Sequence, residues 1–163
     1  MSTDNHDRSA PQPEGGRSPA EIAKLSAAAM YAADRASQLL GIEITEVGPG
    51  RATARMRVTE SMINGHDLAH GGYVFLLADT AFAFAGNSYG GVNLAAAADI
   101  VFVAPARIGD DLVAEAVERV LFGRSGVYDV TVRRSSGDVV AEFRGQSRAV
   151  AASLIELEPG EGH

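Results

Sequence analysis

Asp79 is the single charged residue in the apolar run Tyr73 to Gly86, which reads YVFLLADTAFAFAG. In a helix its neighbours one turn away are Phe75, Leu76, Phe82 and Ala83, so the carboxylate sits among hydrocarbon. An unpaired buried charge is costly. Asp79 must therefore find donors, rise in pKa, or line a wet pocket or interface. Pairing with a basic residue, or capping a break in the helix, would give it a purely structural role; otherwise it is placed to act as a base or nucleophile. Gly71 and Gly72 stand two turns earlier, where a loop would enter the helix. Their N–H groups either face a developing oxyanion or simply belong to a turn. Asn64, in Ile63-Asn64-Gly65-His66, has an amide able to orient water or a carbonyl, although most Asn-Gly pairs only make turns.

Other chemistries are disfavoured. His66 and His70 are four apart, superficially like a zinc-binding H-E-x-x-H, but the flanking Asn64-Gly65 and Gly71-Gly72 place them on a loop, so no metal is expected. The sequence has no cysteine, which removes disulfides, thiolate nucleophiles and zinc-thiolate sites. No P-loop, dinucleotide glycine pattern or nucleophile elbow occurs, so neither a cofactor nor covalent serine chemistry is expected. Arg107, Arg124, Arg133, Arg134 and Arg148 are candidates to hold phosphates, though charged strand faces and turns are usually just solvated.

These residues need positioning elements. Ser18-Pro19 starts a helix that carries Ile22, Leu25, Ala29, Ala32, Ala36 and Leu40 at three-to-four spacing and ends at Gly41. The period then becomes two. Ile42 and Ile44, a Gly48-Pro49-Gly50 turn, then Ala52, Ala54, Met56 and Val58 predict two antiparallel strands. Tyr73 to Gly86 predicts a helix buried within the domain. Strands are expected over Leu94 to Ala104, Leu112 to Phe122, Gly126 to Arg134 and Val139 to Val150. The second of these also fits a helix, with Glu115 and Arg119 as an i,i+4 pair, but its strand-rich surroundings favour a strand. One apolar helix followed by several long strands predicts an α+β roll, a curved antiparallel sheet wrapped around the helix.

The 163 residues, 46% of them hydrophobic, suit one domain, expected over 20–155. Residues 1–19 are rich in Pro, Gly, Ser and charge and are expected to form a disordered tail; 156–163 are expected to form a flexible one. A net charge of −7 gives no basic footprint for nucleic acid or an anionic membrane. The first residues have no apolar core of a secretory signal, and their acidic content does not suit a transit peptide, so the expected location is the cytoplasm.

Residues 64 to 88, N-G-H-D-L-A-H-G-G-Y-V-F-L-L-A-D-T-A-F-A-F-A-G-N-S, resemble the core motif of the PaaI-type hot-dog-fold acyl-CoA thioesterases of phenylacetate catabolism. Met30-Tyr31, Leu40-Gly41-Ile42, Gly126-Val127-Tyr128-Asp129 and Phe143-Arg144-Gly145 extend the resemblance over roughly 28–150. It implies homodimers that form a continuous sheet, commonly paired into homotetramers, with sites shared at the subunit interface. By matching positions, Asp79 of one subunit is the base or nucleophile; Gly71, through its amide, and Asn64 come from the other, with His70, Gly72 and Thr80 as substrate-binding neighbours. One departure concerns the F-[LV]-R-P pattern of similar proteins, which here reads Phe102-Val103-Ala104-Pro105. Arg107 is near enough to replace the missing arginine as a phosphate contact.

The expected substrate is an aryl or phenylacetyl-type CoA thioester, because Tyr73, Phe75, Phe82 and Phe84 cluster on the helix and the resemblance points there. A medium-chain acyl-CoA would need only an apolar pocket. A non-catalytic acyl-CoA sensor is the alternative from another class, and a hydratase on the same fold is a third.

Overall fold

The computed structural model describes residues 16–155; the expected C-terminal tail and all but the last few residues of the expected N-terminal tail lie outside them. The described chain opens on a capping box. Ser18 Oγ accepts from the Glu21 N–H, and the Glu21 carboxylate accepts from the Ser18 N–H, which satisfies two donors that a helix start leaves open. Helix α1 runs Pro19–Ala33 and a separate short helix α2 runs Arg35–Leu39. The single helix expected up to Gly41 is therefore two. Asp34 makes the break: its backbone leaves the helical region at ψ 83°, and its carboxylate caps the Ser37 N–H at 3.0 Å. Aspartate offers the backbone this local alternative to continued helix.

Strands β1 (Glu43–Gly48) and β2 (Arg51–Arg57) follow, joined through Gly50 at φ +68°. A 3-10 turn over Glu60–Met62 leads by a loop to helix α3, Gly71–Gly86. Four long strands complete the chain: β3 (Gly91–Phe102), β4 (Asp111–Phe122), β5 (Ser125–Arg134) and β6 (Val139–Ser153). All pair antiparallel in one sheet of order β1-β2-β4-β5-β6-β3. The segment that also fitted a helix is thus strand β4.

The sheet wraps α3. Ala52, Ala54 and Met56 of β2, Leu112, Ala114 and Ala116 of β4, and Tyr128, Val130 and Val132 of β5 alternate inward and are buried, as a half-buried pleated surface requires. Their small side chains leave room for a helix that is itself apolar nearly all round, and Val74, Leu77, Ala78, Ala81, Phe82, Phe84 and Ala85 are buried beneath them. Phe82 rests on Tyr128 and Phe143 with ring centroids 5.5 and 5.8 Å away. Its ring also lies on Gly145, where a Cβ would come within 2.9 Å. One stripe of α3 escapes burial: Phe75, Leu76, Asp79 and Ala83, at three-to-four spacing, are only partly covered. Strand β3 lies at the sheet edge, exposed for most of its length.

Candidate functional site

The loop before α3 is built around Asn64. Its side-chain oxygen accepts from the N–H groups of His66 at 2.9 Å and Leu68 at 3.2 Å, while its own N–H donates to the Leu68 carbonyl at 2.8 Å. That is the local turn chemistry for which asparagine is suited. The side-chain NH₂ makes no hydrogen bond among the described residues and remains a donor. The loop is fastened at its far end, where the Ala69 N–H donates to the Ala106 carbonyl and the His70 N–H to the Met62 carbonyl, each at 2.8 Å. His66 and His70 both sit on this loop, off any helix. Among the described residues no group of three or more His, Cys, Asp or Glu is placed to hold a metal.

His70 is the N-cap of α3, and its Nδ1 accepts from the Gly72 N–H at 3.0 Å. This divides the glycine pair. The Gly72 donor is spent on the cap, whereas the Gly71 N–H has no acceptor among the described residues. An open amide at a helix N-terminus is a ready donor to negative charge. Asn64 and Gly71 line one cavity of about 330 Å³ with Leu68, Val74, Phe102 and Pro105. Phe102 is the residue that sequence spacing missed. Its ring occupies the side of Gly71 where a Cβ would stand 2.9 Å from Cζ.

Asp79 lies two turns along α3, partly buried. Its carboxylate forms no hydrogen bond and no ion pair among the described residues. Neither a basic partner nor a helix break accounts for it. Burial alone pushes its pKa above the ordinary carboxylate value, since hydrocarbon disfavours the charged form. Thr80 is buried and donates its hydroxyl to the Leu76 carbonyl at 2.8 Å. Eight residues of helix separate Asp79 from Gly71 by about 12 Å, and Asp79 does not line the cavity of Asn64 and Gly71. One chain thus assembles Asn64, His70, Gly71 and Gly72, and holds Asp79 and Thr80 apart from them.

The aromatic cluster expected on the helix is dispersed. Phe82 and Phe84 are core residues at 2% exposure each, because the sheet curls far enough to cover both sides of α3. Phe75 packs edge-on against Phe143 with centroids 5.4 Å apart, and Tyr73 meets His70 at 6.5 Å. Of the candidate arginines, Arg134 holds Asp110 at 3.1 Å and the Pro105 carbonyl, Arg124 the Ala149 carbonyl and Arg133 the Gly137 carbonyl. The Arg107 and Arg148 side chains have no such bond among the described residues, and Arg107 follows directly on Ala106 of the cavity wall. No helix of the described residues is long and apolar enough to cross a membrane.

Three comparisons bear on this site. A family model described as the thioesterase superfamily matches residues 66–141, the stretch that includes His70, both glycines and Asp79. The acyl-coenzyme A thioesterase PaaI of Escherichia coli is 42% identical over 129 residues, covering 79% of this chain and 92% of its own. Among solved structures, the Escherichia coli PaaI protein from the phenylacetic acid degradation operon superposes with a TM-score of 0.82 at 41% identity, over 83% of this chain and 99% of that one. A variant of the phenylacetic acid degradation protein PaaI from Thermus thermophilus gives 0.69 at 32% identity, over 72% and 100%.

Proposed function

The chain belongs to the thioesterase superfamily and is a hot-dog-fold acyl-CoA thioesterase of the PaaI type, and from that premise we propose that Asp79 drives the hydrolysis of an aryl or phenylacetyl-type CoA ester at a site shared between two copies. The observation that carries this reading is the state of Asp79: a carboxylate with no partner among the described residues, pushed up in pKa by burial, on the helix whose first amide also has none among them. A carboxylate normally ionises near pH 4, and an upward shift strengthens it as a base.

The thioester carbonyl accepts from the Gly71 N–H, with the Asn64 NH₂ orienting the carbonyl or the attacking water. Asp79 of the other copy removes a proton from water as the new C–O bond forms, and the helix N-terminus stabilises the tetrahedral oxyanion. The C–S bond then breaks and the thiolate leaves with no strong acid required. Direct attack by Asp79, giving a mixed anhydride, is the less favoured variant. His70, Gly72 and Thr80 act as neighbours: His70 fixes the helix start through Gly72, and the Thr80 hydroxyl holds the turn that carries Asp79. Arg107, beside the cavity, takes a CoA phosphate in place of the arginine absent at Ala104. The copies assemble as dimers or tetramers and work in the cytoplasm.

Free-thiol release from phenylacetyl-CoA, hydroxyphenylacetyl-CoA, benzoyl-CoA and straight-chain acyl-CoAs, with wild type beside Asp79→Ala, tests the proposal. Turnover by wild type that vanishes in the variant supports it, and the panel ranks the acyl groups. Full activity in Asp79→Ala would overturn the role of Asp79, and a panel without aryl preference would leave the medium-chain substrate.

A further inference from the structure

With Phe82 and Phe84 committed to the core, the phenyl ring that packs on Gly71 is that of Phe102, the last residue of β3. It reaches across from the edge strand to the start of α3, where an ideal Cβ on Gly71 would stand 2.9 Å from its Cζ, 3.2 Å from Cε1 and 3.5 Å from Cε2. A ring this close needs glycine beneath it. Phe102 nevertheless remains 54% exposed in the single chain, so its contact with Gly71 leaves part of the ring uncovered. It faces the same cavity as the Gly71 and Asn64 donors, whose remaining walls include Leu68, Val74 and Val103.

We propose that Phe102 is the specificity-determining residue of this site, its ring forming the wall against which the acyl group lies. The inference rests on the thioesterase reading above. A thioester whose carbonyl oxygen meets the Gly71 N–H has its carbon held at the helix start, beside the ring. The two substituents of that carbon then differ sharply in what they can enter. The charged nucleotide of CoA cannot be buried among Leu68, Val74 and Phe102 without leaving its phosphates unpaired, so it leads outward, and the acyl group takes the apolar cavity. At about 330 Å³ that cavity is at the small end of ligand pockets, which span roughly 300–1,000 Å³. It therefore suits a compact acyl group, and an aryl ring on Phe102 gains offset or edge-on contact that an alkyl chain does not. Gly71 has two duties: its N–H serves the carbonyl, and its missing side chain seats the ring that selects the acyl group.

The test compares kcat/KM for phenylacetyl-CoA and hexanoyl-CoA in wild type, Phe102→Ala, Phe102→Leu and Gly71→Ala. Phe102→Ala is expected to lower the phenylacetyl to hexanoyl ratio about tenfold, the scale of discrimination of an apolar pocket. Phe102→Leu, which keeps apolar volume and gives up the ring, is expected to lower the ratio by costing phenylacetyl-CoA more kcat/KM than hexanoyl-CoA. Gly71→Ala keeps the amide and displaces the ring, and is expected to lower the ratio in wild type but not in the Phe102→Ala background. Ratios unchanged in both Phe102 variants, with wild type active, would overturn the inference and leave the thioesterase standing. If wild type released no thiol from any CoA ester, the functional reading would fall instead. Calorimetric binding of non-hydrolysable thioether analogues of the same two esters then decides Phe102 alone, by selective loss of the aryl analogue or by equal affinities.

Discussion

At the scale of single residues the two informative carboxylates titrate with opposite sign. Burial raises the folded-state pKa of Asp79 above its unfolded value. The stability it contributes is therefore present below the ordinary carboxylate range and lost as pH rises through its raised folded value. Replacing the carboxylate should relieve the fold at neutral pH and, on the proposed role of Asp79, disable the chemistry. Asp79→Asn is expected to melt at or above the wild-type temperature at pH 7, with the gap closing in acid, and to lose about 10²-fold or more in kcat; melting curves across pH with thiol release check both. Asp110 behaves the other way, held below its usual pKa first by the Arg107 N–H and then by the Arg134 guanidinium. Its contribution is present above the ordinary range and is lost as pH falls through the lowered value. Asp110→Asn should destabilise at pH 7 and match wild type in strong acid, in the same melting series. Asp79 was legible in the sequence because a lone charge in an apolar run stands out against its neighbours. The contact of Phe102 with Gly71 was not, since it depends on where the edge strand β3 ends relative to α3, and no spacing encodes that.

At the scale of elements, the proposed carbonyl-binding geometry depends on how α3 begins. His70 caps it through Nδ1 and the Gly72 N–H, and the preceding loop is tied to Met62 and Ala106. His70→Ala should cost about 1 kcal/mol of stability, as lost N-caps commonly do, and reduce turnover through a frayed Gly71 amide. His70→Asn, which restores a capping acceptor, should recover most of both in denaturant titrations and kinetics. The middle of α3 depends instead on close packing. A Cβ at position 145 would meet three atoms of the Phe82 ring at 2.9 Å, so Gly145→Ala should destabilise by about 1–3 kcal/mol, read as a lowered denaturant midpoint. The strands were legible because alternation survives in Ala52, Ala54 and Met56 and again in Leu112, Ala114 and Ala116. The break at Asp34 was hidden inside an otherwise helical spacing, since it comes from a side chain capping its own chain. The aromatic cluster misled for a related reason: composition cannot tell a ring facing a ligand from one facing a sheet that curls around both sides of its helix.

At the scale of the whole molecule, one chain holds the proposed base, Asp79, and the proposed carbonyl donor, Gly71, about 12 Å apart along α3, whereas a base and the carbonyl it serves through one water must be much closer. Asp79 shares its partly exposed stripe with Phe75, Leu76 and Ala83, and β3 leaves a long exposed edge. Both features are costly for an isolated chain and are relieved when a second copy covers them. In a two-fold dimer, Asp79 of each copy would meet Asn64 and Gly71 of the other. The consequence can be measured without a structure of the assembly. Asp79→Asn and Asn64→Ala chains, each nearly inactive alone, are unfolded together and refolded in equal amounts. Half of the resulting dimers are mixed, and each mixed dimer has one site with both wild-type residues and one with neither, so about a quarter of wild-type activity should return. Sites built within single chains would return none, because every site would still lack one residue.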